Sequence, residues 1–222
     1  LGATRAYAME KARERAELDR LVRRHARYFL TLFNSMAHVD AEFDGAFAAL
    51  RHEINNLRAA LEWAFAADGD PAIGVGLVAA AVPLCVAMSM LSEWHLWAEK
   101  AIDGLDRAGA RGTRQEMIVR ATQGMSYQLI RNRASEASAA LTRALEIAEE
   151  LREPDWQLRI LHTRWIYSMR MGEIRDAISL AHRAAPMAAV GASNVCCRKS
   201  LPRCGAISLS ARVGTSASWR AT

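Results

Sequence analysis

The sequence predicts an all-α chain in which an array of helical hairpins, an α-solenoid, is followed by an irregular C-terminal tail. Small or apolar residues recur at one spacing in three stretches. They are Trp94, Ala98 and Ala101, then Ala137, Leu141 and Ala144, then Ala177, Ala181 and Ala184. The pattern steps by 43 and then by 40 residues, a period typical of stacked helical hairpins. In addition, 51% of the residues are hydrophobic, many of them Ala or Leu, and only five are proline, which favours packed helices.

The first predicted helix runs from about Thr4 to Phe33. Apolar residues from Leu18 onward recur on one of its faces, and four arginines between Arg20 and Arg27 lie mostly on the other. The arginine cluster is either a patch that binds phosphate or a partner, or a solvated face. Nearby acidic residues of the same helix balance its charge, and they favour the solvated face.

The second predicted helix carries an unbroken heptad seam. Its apolar residues step alternately by four and three positions from Phe43 to Ala64. Such a seam packs either in a homodimeric coiled coil or in a hairpin with the preceding helix. Three heptads are short for a coiled-coil dimer, so the hairpin is favoured, and residues 1–68 are predicted to form a helical junction domain. The following Gly69 and Pro71 predict the end of this helix and the start of another.

The stretch from Pro71 to Leu91 contains 21 residues without a charge, which is long enough to cross a bilayer. Pro83 interrupts it, and no aromatic belt residue lies on its N-terminal side. A central helix that is packed on all sides by other helices has the same composition. The packed helix is therefore favoured over a membrane span.

From Ser92 onward, helical segments alternate with short breaks. The predicted helices cover residues 92–107, 113–131, 135–152, 155–171 and 174–189, and the breaks fall near Gly109, Asn132, Pro154 and Gly172. These pairs resemble tetratricopeptide hairpins in the positions of their small residues and turns. Tyr127 and Trp165 are interpreted as residues that pack in the core or between helices. Residues 69–190 are therefore predicted to be the repeat domain.

Residues 191–222 differ from the rest of the chain. They hold six serines, three cysteines and five basic residues, with no acidic residue and no amphipathic period. One interpretation is a disordered basic tail that contacts nucleic acid or an acidic membrane. The other is a shift of reading frame near Val190, and the three cysteines and Trp219 favour it. The CC-x6-C spacing that ends at Cys204 has no matched histidines and is a weak zinc signal.

The charge balance of residues 1–190 and the absence of known catalytic motifs argue against a nucleic-acid-binding surface and against a catalytic site. Residues 1–190 carry 24 basic and 24 acidic residues, so this part offers no basic surface for nucleic acid. The sequence contains no phosphate loop, dinucleotide fingerprint, HExxH or GxSxG motif. The chain is therefore expected to be non-catalytic and to hold no cofactor or metal. It has no secretory signal peptide, which favours the cytoplasm, and it begins with Leu1 rather than Met, which predicts a longer polypeptide.

Three strings in the first third of the sequence resemble one protein family. They are TRAYAMEK at residues 4–11, RRHARYFL at residues 23–30 and EINNLRAALEWA at residues 53–64. In this order they are similar to the segment that follows the nucleotide-binding core in bacterial predicted-ATPase transcriptional regulators of the STAND type. The resemblance covers roughly residues 1–190 and is best in the first 110.

The resemblance implies a multi-domain signal-transduction ATPase. Members have a P-loop nucleotide-binding domain, many have a winged-helix DNA-binding domain before it, and helical repeats follow. This chain matches only the part after the ATPase core, so the resemblance implies ATP for the missing upstream domain and none for the chain itself. The family's ATP-binding and DNA-binding residues have no matching positions here.

We therefore predict a helical-repeat sensor and protein-interaction region of an ATP-dependent transcriptional regulator, in the form of a fragment. Its partners would be a protein or small-molecule effector on the repeat surface and the ATPase domain in cis, with no membrane contact. Leu57, Leu61 and Trp63 are the candidate coupling and packing residues, because they lie on the helix that adjoins the core. The alternative is a free-standing tetratricopeptide-like adaptor that binds a peptide or protein partner.

Overall fold

A computed structural model describes residues 7, 10–11, 17–37, 50–127 and 133–190. These residues form helices and turns without a strand, which confirms the all-α prediction for this part of the chain. A short 3-10 turn at Arg51–Glu53 precedes the second helix. The helices are α1 (Leu18–Ala37), α2 (Ile54–Ala64), α3 (Pro71–Ala80), α4 (Val82–Ala87), α5 (Leu91–Ala108), α6 (Arg114–Tyr127), α7 (Ala134–Glu150), α8 (Pro154–Met171) and α9 (Ile174–Val190).

Local signals in the sequence set most of the helix ends. Asp70 caps α3, since its side chain accepts a hydrogen bond of 3.2 Å from the backbone N–H of Ala72, and Pro71 follows at the first helical position. Pro154 likewise occupies the first position of α8, although no side chain caps this helix. At the other end of α8, Gly172 adopts a left-handed conformation with φ of 77°, which a residue with a Cβ rarely does.

The chain divides into two compact units, Leu1–Gln123 and Gly124–Thr222, and the division falls within α6. In the first unit, α3 packs against α1, α2 and α5, and α1 also packs against α2. The pairing of α1 with α2 is the hairpin that the heptad seam favours. The predicted boundary after residue 68 lies inside this unit, because α3 is held by the helices on both sides of that boundary.

Helix α3 is buried all round. All eight residues from Ile73 to Ala80 are buried. Contact with other helices therefore explains why this part of the stretch carries no charge. The stretch is also not one helix: α3 ends at Ala80, and α4 follows with Pro83 near its start. None of the helices in the described residues is both long and apolar enough to cross a membrane.

In the second unit, α8 packs against both α7 and α9. Gly124 allows a close approach here, because a Cβ atom on it would lie 2.5 Å from Cγ of Leu141. All nine of the recurring small or apolar positions from Trp94 to Ala184 are buried. Their burial agrees with their predicted role in helix packing, whereas the superhelical arrangement of a solenoid stays a prediction.

The first predicted helix, from about Thr4 to Phe33, differs from the structure in two ways. Glu17 is not helical, so α1 begins only at Leu18, and α1 continues to Ala37, four residues beyond the predicted end. Phe43 and Phe47 of the heptad seam lie outside the described residues, as does the tail from residue 191 with its three cysteines. In the described part of the seam, Leu57, Leu61 and Ala64 are fully buried.

Candidate functional site

The candidate coupling residues lie on two sides of α2. Leu57 and Leu61 have no exposed surface and belong to the core of the first unit. Trp63 is half-buried, and the guanidinium of Arg23 from α1 lies 5.4 Å from the centre of its ring. The same arginine forms an ion pair of 2.7 Å with Asp70, the cap of α3. Trp63 thus lies where α1, α2 and the start of α3 meet.

A second polar link joins α2 to α5. Arg58 donates two hydrogen bonds to the carboxylate of Glu93, at 2.7 and 2.6 Å. These hydrogen bonds lower the pKa of Glu93 from its ordinary value and raise the pKa of Arg58. The two residues are 35 positions apart, so no local sequence pattern could have predicted the pair. Together with Arg23, this link ties the helix that carries the coupling residues to its neighbours.

The first unit also buries two groups that could be mistaken for reactive ones. Burial raises the pKa of the Cys85 thiol to about 12, so it stays protonated and unreactive at neutral pH. Glu116 is only 1% exposed, but its carboxylate accepts hydrogen bonds from Arg120 at 3.0 Å and from the backbone N–H of Gly112 at 2.8 Å. Thr113 and Glu116 form the T-x-x-E pattern of a helix start, a signal that sequence analysis could have used. Both groups are structural.

The second unit contains a cleft of about 510 Å³ between α7, α8 and α9. Ser135 and Ser138 line it from α7, and Arg164 and Tyr167 line it from α8. The volume is within the usual range for small-molecule sites, about 300–1,000 Å³, but such sites are mostly apolar. Here hydroxyl and charged groups predominate, so the lining suits a polar ligand.

Helix α9 and the turn before it complete the cleft with charged side chains. Glu173 accepts a hydrogen bond of 3.3 Å from Ser168, and Arg183 forms an ion pair with Glu149 of α7. Asp176, by contrast, forms no ion pair or hydrogen bond with any residue that the structure describes. The cleft therefore contains charged side chains that have partners within the chain and at least one, Asp176, that has none among the described residues.

Arg164 is the positive counterpart of Asp176 in the same cleft. It is half-buried on α8 and, within the described ranges, its guanidinium also forms no ion pair or hydrogen bond. Sequence analysis did not identify either residue, because single charged positions on amphipathic helices look alike. The cleft is made from three helices, and only their packing brings these side chains to one place.

The turn between α8 and α9 carries an apolar surface. Four of the ten exposed large hydrophobic side chains of the described residues fall in the ten positions 169–178. We call them the hairpin patch: Met169, Met171, Ile174 and Ile178, with exposed fractions of 46 to 56%. Arg170 and Arg175 lie among them, are exposed, and form no ion pair in the described part of the chain. Exposed apolar side chains that are grouped along the chain and flanked by charges are a feature of interaction sites.

The coupling residues and these two surfaces belong to different units. Leu57, Leu61 and Trp63 belong to the first unit, and the cleft and the hairpin patch belong to the second. Within the described residues, no group of three or more His, Cys, Asp or Glu side chains could hold a metal ion.

Comparisons with known proteins add no relative. No protein-family model, no curated protein and no solved structure matches the chain.

Proposed function

We propose that the chain is the helical-repeat sensor and partner-docking region of an ATP-dependent transcriptional regulator of the bacterial cytoplasm, without a catalytic site of its own. In this proposal, residues 69–190 form a tetratricopeptide-like array, and an ATPase core precedes the chain. The three family-like strings in residues 4–64 support the identity of the parent protein, and the buried small positions support the array.

The observation that carries the docking role is the hairpin patch. Burying an apolar side chain such as Ile178 releases roughly 1.5–3 kcal/mol, so four half-exposed ones in ten positions are costly to leave in water. The arginines on either side would fix the orientation of a partner and select one with acidic groups. A contact of this kind suits a protein surface, either that of a separate partner or that of the ATPase domain in cis.

The proposed mechanism is a shift between two states of the parent protein. In the resting state, the hairpin patch docks on the ATPase domain and holds it inactive. A ligand or competing partner that binds the repeats changes the population of the docked state by its differential affinity for the two states. Helical arrays can transmit such a change as a rigid-body movement.

The first test is the DNA sequence upstream of Leu1 and the activity of the extended protein. The proposal expects an in-frame phosphate loop there. In the extended protein, Ile178→Asp places a charge in the hairpin patch, weakens the docked state and raises basal ATP turnover at least severalfold. Leu96→Asp is the matched control, because Leu96 is equally exposed at 57% but lies in the first unit.

The outcomes separate the hypotheses. Equal turnover in the parent and in Ile178→Asp overturns docking by the hairpin patch. If the upstream region contains no phosphate loop, the hypothesis of an ATP-dependent regulator is rejected, and the free-standing adaptor becomes the proposed function.

A further inference from the structure

We propose that the cleft between α7, α8 and α9 binds a small zwitterion, a molecule that carries a carboxylate and an ammonium group, such as a free amino acid or a short peptide. This inference rests on the proposed sensor function, because it names the chemical class of the effector. It is carried by two charges of opposite sign, Arg164 and Asp176, which line one cleft and which the described residues leave without partners.

Arg164 and Asp176 differ from the other charged side chains of the cleft, which interact with residues of the chain itself. Glu149 balances the charge of Arg183, whereas Glu173 keeps its negative charge beside Ser168. Arg164 and Asp176, on neighbouring helices, are the two charged side chains of the cleft that form no ion pair or hydrogen bond with a described residue. They are not within ion-pair distance of each other, although both face the same space. A ligand with both charges can satisfy both side chains at once.

The partners match the two ends of such a ligand. The guanidinium of Arg164 has a planar set of donors that binds a carboxylate through two hydrogen bonds. The carboxylate of Asp176 can accept hydrogen bonds from an ammonium group. Arg164 is half-buried, so its interaction with a carboxylate would be screened less than that of an arginine on the open surface.

The remaining lining favours a polar ligand over an apolar one. Ser135, Ser138, Ser179 and Tyr167 supply hydroxyl groups, which can donate or accept hydrogen bonds from the middle of the ligand. A purely anionic ligand would be repelled by Asp176 and Glu173 and would leave Asp176 without a partner, and a purely cationic one would leave Arg164 without a partner. Only a ligand that carries both charges satisfies both side chains.

The test is direct binding to the full chain, measured by isothermal titration calorimetry. The probes are the twenty free L-amino acids and the dipeptides Gly-Gly and Ala-Ala, which separate a free amino acid from a peptide. For any probe that binds, its N-acetyl and carboxamide derivatives remove one charge each. The expected result is a probe with a Kd below about 1 mM whose two derivatives each bind at least tenfold more weakly.

Two variants of the cleft and two controls complete the test. Arg164→Ala and Asp176→Asn should each weaken binding at least tenfold. Arg159→Ala, at an exposed position of α8 outside the cleft, and Glu150→Gln, at the end of α7, should bind like the parent chain. The proposal is overturned if no probe binds, or if the cleft variants bind like the controls. This experiment needs only the chain itself, so its failure is distinct from the absence of an upstream ATPase.

Discussion

At the scale of single residues, His162 on α8 is unusual because one of its ring nitrogens, Nε2, is buried without a hydrogen bond to any described residue. The ring stacks on Trp165, with the ring centres 6.1 Å apart and the planes 17° from parallel. Burial lowers the pKa of His162, because the charged imidazolium would lose its hydration. The folded chain therefore favours neutral His162.

This makes the free energy of unfolding depend on pH. In the unfolded chain the pKa of histidine is about 6.5, and in the folded chain it is lower. As the pH falls below about 6.5, the unfolded state takes up a proton that the folded state resists, so stability is lost down to the folded pKa. We expect His162→Phe to gain stability relative to the parent chain by up to about 1 kcal/mol between pH 7.5 and pH 5.5, measured by urea denaturation.

The same substitution at exposed His182 on α9 is the control for this experiment. An identical pH dependence for His162→Phe and the parent chain would show that His162 takes up its proton equally well in both states.

At the scale of elements, α2 is the helix through which the two halves of the proposed regulator would communicate. Its buried face holds Leu57 and Leu61, and its other side meets Arg23 through Trp63. Arg58 ties it to α5 through Glu93. A helix held on several sides moves with its neighbours as one body, which is what transmission of a docking signal requires.

We expect Trp63→Ala in the extended protein to make ATP turnover insensitive to Ile178→Asp. The substitution removes the ring under Arg23 but leaves the core residues in place, so the chain should stay folded. Leu57→Ala is the stronger variant, and its cost of about 3 kcal/mol requires a check of folding by circular dichroism. Leu96→Ala is the surface control. If Ile178→Asp changes turnover equally in all of these backgrounds, α2 is not the coupling element.

Three helix ends could be predicted from sequence because their causes are local. Gly109, Pro154 and Gly172 each end or begin a helix within two residues of the predicted position. The burial of the recurring alanines could also be predicted, since their period reflects packing. The pairing of Arg58 with Glu93 could not be predicted, and neither could the presence of Arg164 and Asp176 in one cleft, because both depend on how the helices pack.

At the scale of the whole molecule, the chain divides into two compact units, and each contains fully buried side chains. The fully buried side chains of the first unit include Leu77, Trp94 and Leu105, and those of the second include Leu141 and Ile160. Each set is supplied by the helices of its own unit. Local unfolding of one unit is therefore expected to leave the core of the other intact.

Hydrogen exchange measured by mass spectrometry tests this independence. Leu141→Ala leaves a cavity in the second unit and should cost about 3 kcal/mol, so exchange should become faster in α7, α8 and α9 but not in α3. Leu105→Ala is the matched variant in the first unit, and it should produce the opposite result. Faster exchange in both units for either variant would mean that they unfold as one.

The complete burial of α3 has a consequence for how the chain is made. As synthesis proceeds, α1 and α2 leave the ribosome before α3, but α5, which covers another side, follows it. The 28 residues from Ala81 to the end of α5 at Ala108 take about 1–6 s to translate at roughly 5–20 residues per second. During that interval the nascent chain displays an uncharged apolar segment, and exposed apolar surface of this kind is what chaperones bind in unfinished chains. The order of helices along the chain thus creates a brief competition between folding and capture.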